Sequence, residues 1–317
     1  MTARASRFWG RRRYAVIIVL LAGLAMWGCG PMRRTGPSDG APRVDGARAL
    51  ERVEGLVGLG PRPAGSPGAK WTAEWIAAFC MECGGRPQIS TWGEDTVTGR
   101  RTFRNVTVVI PGRRRQRVIL GSHYDTKELP GVPGFIGAND SGSSTGLLLE
   151  IVRTVAAAER PPPWTLECVF FDGEECQHRY GPRDGLHGSR QHAGQIRVAG
   201  RRRDYRAMIL LDMVGDRDLS LTLPADTDPA LARLAFACAD SLGTRDRIGW
   251  FRAGDILDDH VPFAELGLPV INLIDFEYGP GNAWWHTSED TLDKLSADSL
   301  AAVGNLVLEL IWRLPAR

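Results

Sequence analysis

The run L-E-C-V-F-F-D-G-E-E, residues 166–175, decides the reading of the chain. Leu166 to Phe171 is apolar and β-prone, with a length that suits a buried strand. It stops abruptly at Asp172-Gly173, and two adjacent carboxylates follow, Glu174 and Glu175. Adjacent like charges repel, and both stay ionised only where water or a cation compensates them. A bare Glu-Glu pair is ordinarily a solvated loop. Its position at the end of a strand raises the question of what the other strand ends carry.

Outward from this run, strands are expected at Phe103–Ile110, Arg117–Gly121, Ala207–Leu211 and Pro269–Ile274, besides Thr165–Phe171 itself. Helices are expected at Ser141–Ala158, Pro229–Leu242 and Ser296–Leu314. Two more precede them: one on the pattern Ala47, Leu50, Val53, Leu56, Val57, and one over Trp71–Cys80, separated by the punctuated G-P-R-P-A-G-S-P-G of residues 60–68. Strands alternating with helices imply an α/β fold: a three-layer sandwich with a mixed, largely parallel central sheet between helices. In such folds functional groups gather beyond the carboxyl ends of the strands. His123-Tyr124-Asp125, Glu174-Glu175 and Asp212 each follow a strand directly, and His286 lies in the loop after the last. Asp140, in G-A-N-D-S-G, stands just before a helix, where a lone Asp is usually a cap. Histidine and carboxylate converging without thiolate suits zinc in an open, catalytic site.

Composition narrows the partners. A net charge of +2 over 317 residues argues against nucleic acid, and 43% hydrophobic with 24% charged residues is ordinary for a globular protein. Arg4, Arg7 and Arg11 to Arg13 precede an uncharged run, Tyr14–Gly28, shorter than the roughly 20 apolar residues of a spanning helix. Gly28-Cys29 resembles a bacterial lipoprotein cleavage site with Cys29 lipidated. Met26 and Trp27, in place of small residues, leave an uncleaved anchor as the alternative. The expected organisation is a signal peptide or anchor over 1–28, a linker over 29–45 and one domain over 46–317. The protein is then exported and held at the cell envelope. Cys80 and Cys83 form a C-x-x-C with no second pair to complete a zinc site, and the cysteines form no disulfide framework.

H-Y-D, N-D-S-G, F-F-D-G-E-E, G-S-R, L-L-D-M-V-G, D-D-H-V-P-F and W-W-H-T occur in the order seen in the M28 family of zinc aminopeptidases, which the chain resembles over residues 47–317. The resemblance implies Asp140 as a bridging ligand, Glu175 and His286 on one zinc, His123 and Asp212 on another, Asp125 orienting His123, and Glu174 as general base or acid. Within the family the wording is similar to the animal-type glutaminyl-peptide cyclotransferases. F-F-D-G-E-E, the twelve residues between Glu175 and Gly188, D-D-H-V-P-F, Trp285 before His286 and Lys127 after H-Y-D carry that likeness. It implies a single catalytic zinc on Asp140, Glu175 and His286, with a second zinc possible. Catalysis would rest with Glu174, supported by Asp212 and Asp258. Trp285, Tyr180, Asn272 and Lys127 would line the substrate pocket. Two positions depart from the cyclase pattern: Asn272 replaces a histidine and Tyr180 replaces a tryptophan. The implied reaction converts an N-terminal glutamine to pyroglutamate with release of ammonia, on peptide or protein N-termini, by a monomer. The alternative is a two-zinc aminopeptidase. His178, His187 and His192 carry no motif and read as surface or structural.

Overall fold

A computed structural model describes residues 36–316. The expected leader, the lipidation site Cys29 and the first part of the linker lie outside the described residues. Among the described residues no helix is long and apolar enough to cross a membrane.

The chain forms α1 (Gly46–Val57), α2 (Pro67–Glu82), β1 (Gln88–Thr96), β2 (Gly99–Ile110), β3 (Arg114–His123), α3 (Ser144–Ala156), β4 (Trp164–Phe171), α4 (His187–Val198) and β5 (Tyr205–Asp212). It continues with β6 (Leu221–Leu223), α5 (Pro229–Leu242), β7 (Ile248–Trp250), α6 (Val261–Glu265), β8 (Val270–Ile274) and α7 (Ala297–Arg313). The eight strands make one sheet in the order β1-β2-β4-β3-β5-β8-β6-β7. Its centre, β4-β3-β5-β8, is parallel, and the antiparallel pairs lie toward the edges.

β4 is buried at every residue because helices cover both faces, which is why the centre of the sheet reads as continuous apolar sequence. Leu166, Cys168 and Phe170 point into the larger core, packed with α1, α2, α3, α5 and α7. Val169 and Phe171 point to the smaller core, which α4 and α6 complete. Glu167 interrupts this face, and its burial is compensated by Arg117, by His192 Nε2 at 2.8 Å and by the Tyr205 hydroxyl at 3.1 Å. The larger core is tight where α1 crosses α3: a Cβ on Gly146 would fall 2.5 Å from Val53.

Several boundaries differ from expectation for local reasons. The second helix starts at Pro67, because Ser66 accepts the Ala69 N–H at 3.0 Å and Pro67 occupies the first turn. What reads as loop punctuation is a helix start. The third helix begins at Ser144 and not Ser141, since Asp140 and Ser141 leave helical geometry in the turn 138–143. Asp140 therefore caps nothing. Residues 36–45, expected as linker, lie against α7: Glu309 accepts from Ser38 N at 2.8 Å and from Ser38 Oγ at 2.9 Å, and Val44 is buried.

Candidate metal centre and active site

The carboxyl ends of β3, β4 and β5 deliver His123, Glu174-Glu175 and Asp212 to one place, and the turn before α3 adds Asp140. His286 arrives from the loop after β8. Two triads result: Asp140, Glu175 and His286 in one, and His123, Asp140 and Asp212 in the other. His286 Nε2 faces Asp140 Oδ2 at 3.1 Å and Glu175 Oε1 at 3.2 Å. His123 Nε2 faces Asp140 Oδ1 and Asp212 Oδ1, each at 3.3 Å. Asp140 thus offers one oxygen to each triad.

The donor set fits zinc. Bonds of about 2.0–2.1 Å in a tetrahedron place ligand atoms roughly 3.3 Å apart, and the histidine–carboxylate distances in both triads match that spacing. The electrostatics agree. Burial works to lower the His286 pKa, but hydrogen bonds and charge from Asp140 and Glu175 raise it to about 10. Burial works to raise Asp140, and the two imidazoles hold it well below the usual carboxylate range. Carboxylates that bind a proton this firmly on an imidazole are placed to bind a cation instead.

The surroundings differ between the two triads. The His123 side chain is 1% exposed and His286 18%. Asp212 is pushed up to about 7, first by burial and then by the charge of Asp258. Met213 and His286 both hold left-handed backbone, with φ of 49° and 54°, a conformation that costs roughly 1–3 kcal/mol at non-glycine residues and gathers at functional sites.

Glu174 is buried beside the His286 triad, and burial together with the charges of Glu175, Asp258 and Asp259 raises it well above an ordinary glutamate, against the opposing pull of His123. The Tyr180 hydroxyl donates to Glu174 Oε1 at 2.7 Å. The segment that carries Tyr180 is stapled. Asp184 accepts from the backbone of Gln177, His178 and Arg179, and Arg190 donates to the carbonyls of Gly181 and Gly185. Trp285 stacks on His286 with ring centroids 4.0 Å apart. Asn272 Nδ2 donates to Asp258 Oδ2 at 2.7 Å. Lys127 Nζ lies 3.1 Å from Glu175 Oε2, so this residue pairs with a candidate ligand as well as bordering the pocket.

The sequence match decides the family at this point: the model of peptidase family M28 fits residues 105–311. The chain belongs to peptidase family M28. It is 31% identical to a glutaminyl-peptide cyclotransferase-like protein of Mus musculus over 260 residues, 73% of this chain and 66% of the mouse protein. The chain thus spans slightly under two thirds of that relative's length. Among solved structures it is similar to a glutaminyl cyclase of an Acidobacteriales bacterium, with 32% identity, a TM-score of 0.80, and coverage of 87% of this chain and 97% of that one. It is also similar to a leucine aminopeptidase precursor of Bacteroides thetaiotaomicron, with 25% identity, a TM-score of 0.77, and coverage of 86% and 98%.

In this M28 domain further residues hold the site, and no motif reading had singled them out. Asp290 accepts the backbone N–H of Asn139 at 2.7 Å and of Asp140 at 3.2 Å, fixing the turn that aims Asp140. Ser143 Oγ accepts the Val214 N–H at 3.0 Å and Asn139 Oδ1 accepts that of Gly215 at 2.9 Å, tying the turn to the loop after Asp212. Arg62 is fully buried and donates to the carbonyls of Tyr124, Ile136 and Gly137 at 2.6, 2.6 and 3.0 Å. Asp125 faces His123 Nδ1 at 3.5 Å, as expected of a residue that orients it, and also accepts from the N–H groups of Glu174 and Glu175 at 3.1 and 3.3 Å, so it positions both glutamates as well. His187 and His192 are structural, bonded to Glu94 and Glu167.

Proposed function

We propose that the chain is a zinc-dependent glutaminyl-peptide cyclotransferase. The observation that carries the proposal is the pairing of Glu174 with Tyr180 beside the more accessible triad. A buried glutamate, raised well above the ordinary carboxylate range and hydrogen-bonded on one oxygen, has its other oxygen available to exchange a proton with a substrate. The similarity to glutaminyl cyclases supports the choice of reaction.

Asp140, Glu175 and His286 would hold the ion. When bound there, zinc supplies a Lewis acid for the γ-carboxamide oxygen of an N-terminal glutamine. Trp285 gives the substrate side chain a flat apolar wall. Glu174 takes a proton from the α-amine as its nitrogen bonds to Cδ, and returns it to the departing amide nitrogen as the Cδ–N bond breaks. Ammonia leaves, the ring is closed, and no external water is consumed. Asp258, itself held by Asn272, and Asp212 would steady the leaving nitrogen. The same reading takes peptide or protein N-termini as substrates. It places the monomeric enzyme outside the cytoplasm, at the cell envelope, with residues 1–28 as signal or anchor.

The second reading, a two-zinc aminopeptidase, is favoured by the ligand-like spacing in the His123 triad. Two assays separate the readings. A cyclase releases ammonia from a glutaminyl peptide and leaves leucyl anilide intact. Cleavage of the anilide, with two zinc ions per chain, would overturn the proposal.

A further inference from the structure

A groove of about 410 Å³ runs from the site between residues 61–63 and residues 127–135. That volume lies within the roughly 300–1,000 Å³ of ordinary ligand pockets. It is continuous with the site through two residues. Lys127 lines it and pairs with Glu175, and Phe135 lines it with its ring perpendicular to that of His286, centroids 6.4 Å apart. With the first substrate residue at His286, the second lies about 3.8 Å of chain further on, within reach of Phe135 in the groove wall.

Its lining is mostly apolar, with Gln177 and His178 among its polar residues. Pro61, Pro63, Leu129, Val132, Pro133 and Phe135 supply apolar walls. The two charged side chains nearest the site are already compensated, Lys127 by Glu175 at 3.1 Å and Glu128 by Arg101 at 2.9 Å. A charged side chain entering the groove loses hydration without gaining a free partner from either. Pro61, Pro63, Pro130 and Pro133 carry no N–H, so the walls offer little main-chain pairing, and recognition falls to side-chain fit. The walls are also preformed. Buried Arg62 ties them together through the carbonyls of Tyr124, Ile136 and Gly137, and Thr126 N donates to Arg62 O at 3.3 Å.

A second groove, along β7, connects to His286 through the aromatic chain Trp285, Phe276 and Phe251. It carries Asp246, Arg252 and Glu277. Direct contact with the site and apolar lining both favour the groove at Leu129 and Val132.

We propose that this groove receives the second residue of the substrate, making the enzyme selective for N-terminal glutamine followed by an apolar residue. The proposal rests on the cyclotransferase reading. The test compares peptides Gln-Xaa-Ala-Ala with Xaa as Leu, Phe, Glu or Lys. The expected result is that Leu and Phe exceed Glu by roughly tenfold or more in kcat/KM, mainly through KM. Val132→Lys should shrink or reverse the gap between Leu and Glu, while Trp250→Ala in the other groove leaves it unchanged. Equal rates for all four peptides would overturn the proposal, as would a preference lost in Trp250→Ala but kept in Val132→Lys. The affinity order of the same peptides for zinc-loaded Glu174→Gln protein, measured calorimetrically, gives a second readout. If the wild type closes no glutaminyl peptide, the cyclotransferase reading fails, and that affinity order still decides the groove: apolar over acidic supports it, and a flat order contradicts it.

Discussion

His123 and His286 each face two carboxylate oxygens at ligand-like distances, yet one imidazole is enclosed and the other is within reach of solvent. His123 sits at the end of β3, between the turn that holds Asp140 and the end of β5. Burial pushes Asp212 up to about 7, and although burial works to lower His123, its contacts with Asp125, Asp140 and Asp212 raise the imidazole well above the ordinary histidine range. In both triads the carboxylates favour a cation, so what separates them is enclosure, 1% exposed against 18%. His286 lies on a loop, under Trp285, with Glu174 and Tyr180 beside its partner Glu175. The comparison teaches that similar ligand geometry does not assign similar work: chemistry belongs where a substrate can reach.

The largest expected effect breaks the symmetry directly. His286→Ala should lose the zinc and reduce turnover to background, whereas His123→Ala should keep a zinc ion and lose mainly stability. Metal analysis of the two purified variants, with their melting temperatures, checks this. If His123→Ala also lost its metal, the two triads would be working as one site.

Glu174→Gln should lower kcat by roughly 10²–10⁴-fold while zinc stays bound, because a proton carrier is removed and no ligand is. Steady-state kinetics beside metal content decides it. Tyr180→Phe should cost less, on the order of tenfold in kcat with KM little changed. One hydrogen bond to a charged group contributes about 1.5–3 kcal/mol, and about 1.4 kcal/mol is tenfold in rate. An unchanged kcat would mean that the Tyr180 contact does not matter to proton transfer.

The smallest effect concerns pH. In the metal-free protein His286 keeps its proton up to about 10, so below that pH an incoming ion has to displace it. Acid strengthens the competing proton, and the stabilisation by zinc should therefore grow as pH rises. Between pH 6 and 8 the zinc-induced rise in melting temperature should increase by about 3 °C per pH unit, from about 1.4 kcal/mol per displaced proton. A rise independent of pH would place the ion elsewhere.

The parallel core was legible because strands buried on both faces read as continuous apolar runs, as in β4 and β5, and because the chemistry follows their ends. β1 escaped notice as an edge strand of mixed polarity, Q-I-S-T-W-G-E-D-T, exposed or half-exposed along most of its length. α4 escaped for a different reason. It covers only the smaller core, so few apolar residues suffice, and glycine and histidine dilute its pattern. In the site, the side chains that meet one another were legible as motifs. Arg62 and Asp290 were not, because they act on backbone carbonyls and N–H groups of distant loops, which leave no spacing in the sequence. The Tyr180 contact was legible only as a change of residue. That its hydroxyl meets Glu174 depends on the fold of residues 176–187.

The most direct test of the whole account follows the fate of water. A glutaminyl peptide is turned over in heavy-oxygen water and the product is weighed by mass spectrometry. The account predicts a ring-closed peptide that has lost ammonia, carries no heavy oxygen and keeps all its peptide bonds. Release of the first amino acid, with heavy oxygen in its new carboxylate, would contradict it.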